Sequence, residues 1–312
     1  GGGGGGGGGG GTSTVLAGER APVSSSPFVP VPLRQPPFEE QLLQNTLWPE
    51  VHKLFGHLNE MVCLCANSAG TLLASASKST KAEQAAIRIW DTRSWKERFV
   101  AYGHTLTVTQ LEFSHDDQTL LSVSRDRRLC LYQMPDTKEE WTQPNSLTLS
   151  ASFSLEGHER IIWACSWAPN DTHFATGSRD QKVSIWRRPT AHDRPVTASD
   201  DSSSSPAPPT LLVTTLPDFK SAVTALAWTE TKALGEVLAI GLESGLIHLF
   251  KPCDQSRTHW DVLLNLDPSI CHCSDVNRLK WRPLGQSQSD LFSELASCGA
   301  DNAVRVFRIF KK

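Results

Sequence analysis

The sequence predicts an all-β protein built from repeated units, and three observations carry this prediction. A Gly-His pair occurs at Gly103-His104 and again at Gly157-His158. Each pair is followed by a Ser-Arg-Asp turn, and the turn aspartates are separated by the same number of residues as the two pairs. Apolar and polar residues alternate in the short runs between these landmarks, which is the period-2 pattern of β-strands.

The repeat begins one unit earlier and continues for two units more. The first unit carries Gly56-His57 and a strand that ends at Trp90. Two degenerate units follow the strong copies, and neither shows a clear Gly-His pair. This period is close to that of WD40 repeats, in which four strands make one blade of a β-propeller. The sequence therefore predicts a WD40 β-propeller with about five four-stranded blades, near residues 51–95, 96–134, 148–188, 210–252 and 259–310.

The recurring histidines and aspartates predict a structural role. Asp is favoured in the tight turn between two inner strands. The histidine ahead of the first strand can bond that Asp, and a Ser or Thr and the strand-ending Trp extend the hydrogen bonds. The alternative, a hydrolytic triad, is disfavoured because the set recurs and no copy is distinguished, so no enzyme is predicted. The predicted structural residues are His57, His104, His158, Asp126, Asp180, Asp301, Trp90 and Trp186.

Composition limits the classes of partner. The chain has 312 residues and a formal net charge of −3, with 30 basic and 33 acidic residues. It therefore lacks the overall positive charge that is typical of proteins that bind nucleic acid. Any contact with RNA must then use a local patch. The alternative is that the basic turn residues are solvated and paired with Asp116, Asp117 and Glu159. The candidate contact residues for a partner protein or RNA are Arg125, Arg127, Arg128, Arg160, Arg179 and Lys182.

Eight cysteines raise the question of metal binding. The "CHC" run at 271–273 suggests a ligand set, but zinc sites usually use C-x2-C pairs, whereas C-x-C in a strand puts both thiols on one face as small apolar groups. The sequence therefore predicts no metal and no cofactor. No signal peptide or apolar run of membrane-spanning length is visible. We expect reduced thiols, a cytoplasmic and also nuclear location, and no membrane contact.

Two segments have the composition of disordered chain. Residues 1–37 form a leader rich in Gly, Ser and Pro, and residues 189–209 form a second such insert between the third and fourth units. Neither can bury enough apolar surface to offset the entropy of ordering. The propeller is therefore predicted to occupy residues 38–312.

Several sequence segments contain specific residues that the generic WD40 repeat does not require, among them "RIIWACSW" and the alanine-rich insert at residues 81–86. With the stretches at 36–57, 71–95, 104–127 and 158–186, they resemble the C-terminal part of the second WD40 propeller of the Elongator subunit 2 family. The resemblance runs from about Pro36 to the end of the sequence.

The resemblance implies a non-catalytic scaffold subunit in the complex that modifies wobble uridines of transfer RNA. It implies other Elongator subunits as partners, including the catalytic and the large scaffold subunit, and it leaves direct RNA binding as the alternative function. Family members have two seven-bladed propellers, so this chain would be an incomplete part of a seven-bladed ring. The alternative is a closed ring of five blades in which Val51–Phe55 completes the last blade.

Overall fold

The computed structural model describes residues 52–135, 147–190, 193, 211–283 and 290–311. The chain divides into two units, Gly1–Lys53 and Leu54–Lys312, and every described strand lies in the second. The predicted leader lies outside the described residues, as does the insert at 189–209 except for residues 189, 190 and 193. No helix in the described part of the chain is long and apolar enough to cross a membrane.

The described residues form five sheets, which we number as blades 1 to 5 in chain order. Within each blade, antiparallel strands follow one another from the first strand outward. Blade 1 contains β1 (Met61–Ala66), β2 (Leu72–Ser77), β3 (Ile87–Asp91) and β4 (Lys96–Tyr102), and its β2–β3 loop holds a short 3-10 helix at Ala82–Gln84. Blade 2 contains β5 (Val108–Phe113), β6 (Thr119–Ser124), β7 (Arg128–Gln133) and β9 (Phe153–Glu156). Blade 3 contains β10 (Ile162–Trp167), β11 (His173–Ser178), β12 (Val183–Arg187) and β13 (Leu212–Thr215).

Blades 4 and 5 repeat the plan, but the strand number varies. Blade 4 contains β14 (Val223–Thr231), β15 (Gly235–Leu242), β16 (Ile247–Pro252) and β17 (Trp260–Asn265). Blade 5 contains only β18 (Val276–Trp281), β19 (Phe292–Gly299) and β20 (Val304–Phe310) among the described residues. Blade 1 has a fifth strand, β8 (Leu147–Ser150), which runs parallel to β4 although it follows β7 of blade 2 in the chain. Four strands per unit, as expected from the sequence, are thus found in blades 2, 3 and 4.

Consecutive blades pack through one repeated contact. Two aliphatic residues of a blade's third strand face the next blade. They contact the first and fourth residues of the first strand of that next blade. In blades 3 and 4 this contact joins Val183 and Ile185 to Val223 and Leu226 in one buried cluster. The equivalent residues meet at the three other junctions: Ile87 and Ile89 with Val108 and Leu111, Leu129 and Leu131 with Ile162 and Cys165, and Ile247 and Leu249 with Val276 and Leu279.

Two of these junctions are so close that they require glycine. A Cβ atom added at Gly177 would lie 2.5 Å from Cγ1 of Val223, and one added at Gly241 would lie 2.6 Å from Cγ1 of Val276. Both valines are the first residue of the next blade's first strand. The glycines therefore allow β11 and β15 to approach the following blade closely.

The outer faces of the two terminal blades are exposed. Met61 and Leu64 of blade 1 occupy the positions that are buried at every other junction, yet they are 51% and 60% exposed. Val304 and Val306 of blade 5 are 76% and 65% exposed. Within the described ranges, blades 1 and 5 therefore do not pack against each other through these faces, which contradicts the alternative of a closed ring of five.

The segment expected to complete such a ring is not a strand. Residues 52–56 have no regular secondary structure, and Phe55 is 82% exposed. Val51 lies outside the described residues. Within the described sheets, β20 pairs with β19 alone.

Candidate functional site: the histidine-aspartate rim and the channel mouth

Blade 3 contains a complete set of the predicted hydrogen bonds. His158 Nδ1 lies 3.0 Å from Asp180 Oδ2, and His158 Nε2 lies 2.7 Å from the Thr176 hydroxyl. The Trp186 indole N–H donates to the same hydroxyl at 2.7 Å. Asp180 also accepts the backbone N–H groups of Glu159 and Lys182. These contacts join the loop before the first strand to the turn between the second and third strands.

Blade 2 contains the same set with one substitution. His104 bonds Asp126 at 3.0 Å and the Ser122 hydroxyl at 2.7 Å. Tyr132 stands where blades 1 and 3 have Trp, and its buried hydroxyl has no hydrogen-bond partner among the described residues. The set therefore lacks the aromatic donor, while its histidine and aspartate keep their places.

Blade 1 contains the set without an aspartate. His57 Nε2 lies 2.8 Å from the Ser75 hydroxyl, which also accepts the Trp90 indole N–H at 2.8 Å. A longer loop holding the 3-10 helix replaces the Ser-Arg-Asp turn. Burial and the nearby Arg88 guanidinium lower the pKa of His57, so this histidine favours its neutral form.

Blade 5 has a histidine that the sequence reading missed. His272 Nδ1 lies 2.8 Å from Asp301, and His272 Nε2 lies 2.7 Å from the Ser297 hydroxyl. The residue before it is a cysteine instead of glycine, which hid it from a search for Gly-His. The usable signal is spacing, because the histidine stands four residues before the first strand in blades 1, 2, 3 and 5.

The cysteines on either side of His272 do not behave as expected. They lie in a loop and not in a strand, with Cys271 buried and Cys273 exposed. The cysteines that do share one face of a strand are Cys63 and Cys65 of β1, and both pack into the core between blades 1 and 2. Burial raises the pKa of the Cys63 thiol to about 12, so it stays protonated. No group of three metal-ligating side chains occurs in the described part of the chain.

Blade 4 replaces the polar set with apolar side chains. Phe219 stands four residues before β14, at the histidine position, and Phe250 stands at the Trp position. Their ring centroids are 5.7 Å apart in an edge-on contact. Ile240 occupies the Ser/Thr position between them, and Ser244 occupies the aspartate position. The loop and the strands can thus be joined by packing as well as by hydrogen bonds.

The Ser122–His104–Asp126 connectivity equals that of a hydrolytic triad. A nucleophile must reach its substrate, however, and Ser122 is 0% exposed within β6. Thr176 in blade 3 is also 0% exposed. The arrangement therefore holds a loop to a turn and offers no open site for a substrate.

The His104–Asp126 pair is charged at neutral pH. Burial by itself would lower the pKa of His104, but the hydrogen bond to Asp126 and the negative charge of that carboxylate outweigh it and raise the pKa to about 9. Burial by itself would raise the pKa of Asp126, but the bond to His104 and two backbone N–H groups lower it. Both side chains are almost fully buried, at 0% and 4% exposure.

A second pair of aspartates joins neighbouring blades at the opposite end of the strands, and the sequence reading missed it. Asp117 accepts the backbone N–H groups of Ser68 and Ala69 in blade 1. Asp171 accepts those of His115 and Asp116 in blade 2. Both aspartates have positive φ angles, 58° and 57°, which Asp tolerates better than most residues. Each aspartate thus ties its blade to the preceding one.

Two of the carboxylates expected to pair with the basic turn residues lie far from those turns. Asp116 forms an ion pair with Arg188 at 2.6 Å, and Asp117 bonds blade 1. Two of the three carboxylates named in the alternative reading, Asp116 and Asp117, are therefore in use at the other end of the blades, whereas Glu159 lies in the loop after His158. Arg128 is half-buried and donates to the Ser154 hydroxyl of β9 at 3.0 Å. The remaining candidate cations make no side-chain hydrogen bond or ion pair within the described part of the chain: Arg125, Arg127, Arg160, Arg179 and Lys182.

The first strands of all five blades line one channel cavity of about 480 Å³. The second residue of each first strand faces it, and these residues are Val62, Thr109, Trp163, Thr224 and Asn277. Arg179 and Arg278 line the same cavity together with the carboxylates Glu243 and Asp275. The candidate cation Arg179 thus lies at a mouth of mixed charge beside a half-exposed tryptophan.

Sheets packed face to face around a channel, with a His–Ser/Thr–Asp set repeated between loop and turn, define a WD40-type β-propeller chain. The model of the WD domain, G-beta repeat family matches residues 48–91, 95–133 and 149–187. A solved structure titled "Crystal Structure of Mitotic Checkpoint Complex" shares this fold with a TM-score of 0.54 and 19% identity, covering 80% of this chain and 63% of that one.

The chain is similar to Elongator complex protein 2 from several organisms, which confirms the resemblance read from the sequence. It is 41% identical to the protein of Arabidopsis thaliana over 89% of this chain and 32% of the relative. The values are 40%, 90% and 34% for Rattus norvegicus and 37%, 91% and 35% for Homo sapiens. The chain thus spans about a third of the length of the curated relatives that it matches.

We expect Asp180→Ala to lower the free energy of unfolding by about 1 to 3 kcal/mol, because it leaves His158 and two backbone N–H groups without their acceptor. Urea denaturation of the variant beside the parent measures this change. Ser244→Ala is the matched control. Ser244 stands at the aspartate position of blade 4, where Phe219 replaces the histidine, so this variant should leave the midpoint close to that of the parent. Equal midpoints for parent and Asp180→Ala would contradict the assigned role.

We expect the stabilisation from the His104–Asp126 pair to depend on pH. Because the pKa of His104 is raised from 6.5 to about 9 on folding, the contribution is complete below pH 6.5 and disappears as the pH rises through 9. The expected loss is up to about 3 kcal/mol. Urea unfolding of the parent and of Asp126→Asn over this range tests it, and the variant should lose less stability. A parallel decline in both proteins would show that other groups are responsible.

Proposed function

We propose that this chain is a non-catalytic scaffold within the Elongator complex, where its exposed surfaces hold other subunits. The observation that carries the proposal is that each polar set resembling catalytic machinery is buried inside a blade and serves a loop-to-turn contact. The similarity to Elongator complex protein 2 over about nine-tenths of the chain supports the choice of complex. Propellers bind partners through the loops at their ends and the channel mouth, and here those loops carry unpaired charge.

The proposed partners are the catalytic and the large scaffold subunit, and the proposed role is to support modification of wobble uridines in transfer RNA. Both follow from the resemblance to the subunit family. Arg125 and Arg179 occupy equivalent turns of blades 2 and 3, and their guanidinium groups suit carboxylates on a partner protein. The free state of all eight cysteines supports a reducing compartment, and we propose the cytoplasm and also the nucleus.

Co-purification tests the scaffold proposal. We expect the tagged chain to retain the other Elongator subunits, and the double variant Arg125→Glu/Arg179→Glu to retain less, because it reverses charge on two adjoining turns. Arg93→Glu/Lys96→Glu is the matched control, since both of these exposed cations lie at the other end of the strands in blade 1. The scaffold proposal fails if the parent chain retains no subunit, and the assigned surface fails if both double variants behave alike.

Direct RNA binding is the second candidate, and the unpaired cations favour it. Arg125, Arg127, Arg160 and Arg179 are exposed on two adjacent blades, and Trp163 offers a half-exposed aromatic surface in the channel. Cationic grooves with an aromatic platform are typical of single-stranded nucleic acid binding. The carboxylates Glu243 and Asp275 at the same mouth act against it.

We expect an RNA-binding rim to lose affinity steeply with salt, since each neutralised phosphate releases a counterion. Replacing Arg125 and Arg179 with Ala should reduce the slope of log K against log salt by about 1 to 2. Transfer RNA binding by fluorescence anisotropy from low to moderate salt measures this slope, with Arg93→Ala as the control. Affinity that does not change with salt would remove this candidate.

A further inference from the structure

The channel mouth brings together residues of opposite charge from two neighbouring blades. In blade 3 the turn between the second and third strands carries Arg179, whose backbone N–H donates to the carbonyl of Ile161 at 2.9 Å. In blade 4 the equivalent turn carries Glu243, whose backbone N–H donates to the carbonyl of Ala222 at 2.9 Å. Both side chains are exposed, and both line the channel cavity. One turn position thus presents a cation in blade 3 and a carboxylate in blade 4.

A second carboxylate and a tryptophan line the same cavity. Asp275 is the residue before β18, and Trp163 is the second residue of β10. We call the set of Trp163, Arg179, Glu243 and Asp275 the charged mouth. Its three charged side chains make no hydrogen bond or ion pair within the described part of the chain. Their charges are therefore available to a ligand.

The charged mouth does not depend on where the blade series begins or ends. Trp163 and Arg179 belong to blade 3 and Glu243 to blade 4, and each of these blades packs against a described blade on both sides. Asp275 lies in the loop that joins blade 4 to blade 5. The turn residues thus stay exposed when both faces of their blade are covered.

The lining of the cavity favours a ligand that carries both signs of charge. Its volume of about 480 Å³ lies in the usual range of ligand pockets, about 300 to 1,000 Å³. Only Val62 and Trp163 among its lining residues are apolar, so an apolar ligand would leave most of the polar groups without a partner. The carboxylates of Glu243 and Asp275 would repel phosphate groups. Arg278, which donates to a neighbouring backbone carbonyl, brings the lining to two cations and two carboxylates.

Trp163 and Glu243 together fit an arginine side chain. The face of an indole ring attracts a cation, and a carboxylate accepts hydrogen bonds from it. A guanidinium group can make both contacts at once, because it is planar, stacks on aromatic rings and has its donors along its edge. An ammonium group lacks this geometry, so arginine should be preferred to lysine.

We propose that the charged mouth binds a segment of a partner protein that inserts an arginine beside Trp163 and Glu243 and places an acidic side chain against Arg179. This assignment rests on the proposed scaffold role and adds the chemistry of the partner. Such a segment matches the sign of charge on each side of the mouth, because the carboxylates belong to blade 4 and the loop before blade 5, whereas the unpaired cation belongs to blade 3.

Binding of fluorescein-labelled hexapeptides to the whole chain, measured by anisotropy, tests the proposal. The probes carry one Arg and one Asp at each pair of positions in an Ala/Ser background. Each probe has one partner peptide with citrulline in place of Arg and another with Asn in place of Asp. We expect at least one arrangement of Arg and Asp to bind. Citrulline should weaken its binding about tenfold, as for the loss of one charge-assisted hydrogen bond.

Two variants assign the two charges. Glu243→Gln should reduce the preference for Arg over citrulline. Arg179→Gln should remove the preference for Asp over Asn and keep the preference for Arg over citrulline. Glu159→Gln and Arg93→Gln are the matched controls, since both residues are exposed and neither lines the cavity, and they should bind like the parent.

The proposal is overturned if no Arg-Asp peptide binds more tightly than the Ala/Ser peptide, if citrulline peptides bind as tightly, or if variants and controls behave alike. An oligouridylate that binds at the mouth when the peptides do not also overturns it. Retention of Elongator subunits without any peptide binding would remove this site and leave the scaffold proposal intact.

Discussion

The structure depends on one constraint: a sheet with two apolar faces must bury both of them against neighbouring elements. In this chain the cover comes from the neighbouring blade, through an aliphatic pair on the third strand and the first and fourth residues of the next first strand. Gly177 and Gly241 bring the sheets close enough for that contact. Blades 1 and 5 carry residues of the same kind on their outer faces, where no described blade covers them.

Hydrogen bonds fix the loops that this packing leaves free. Histidine and aspartate join loop to turn within blades 2, 3 and 5, and Asp117 and Asp171 join one blade to the preceding one at the opposite end. Blade 4 does without the polar set and uses Phe219 and Phe250 instead. The loop before the first strand can therefore be held either by the polar set or by aromatic packing. This explains why the set varies from blade to blade while the order of the first three strands does not.

Period and motif spacing predicted the repeated sheets, because strand alternation and turn chemistry are local properties of the chain. The blade 5 histidine escaped because the search required glycine before it, although its spacing to β18 was regular. Strand β8 escaped because its pairing joins blade 1 to a segment that lies between the third and fourth strands of blade 2 in the chain. The exposure of the outer faces of blades 1 and 5 could not be predicted either. Val304 and Val306 show the same alternation as Ile87 and Ile89, although only the isoleucines are buried. Which cations are unpaired depends on contacts such as Arg188 with Asp116, which lie far apart in sequence.

The parallel strand β8 has a consequence for the order of events during synthesis. Blade 1 is complete only when residues 147–150 have left the ribosome, and by then the first three strands of blade 2 have already emerged. The outer edge of blade 1 consequently stays open while its neighbour is forming. The first two blades should mature as one cooperative unit, and an insertion between β7 and β8 would delay both of them.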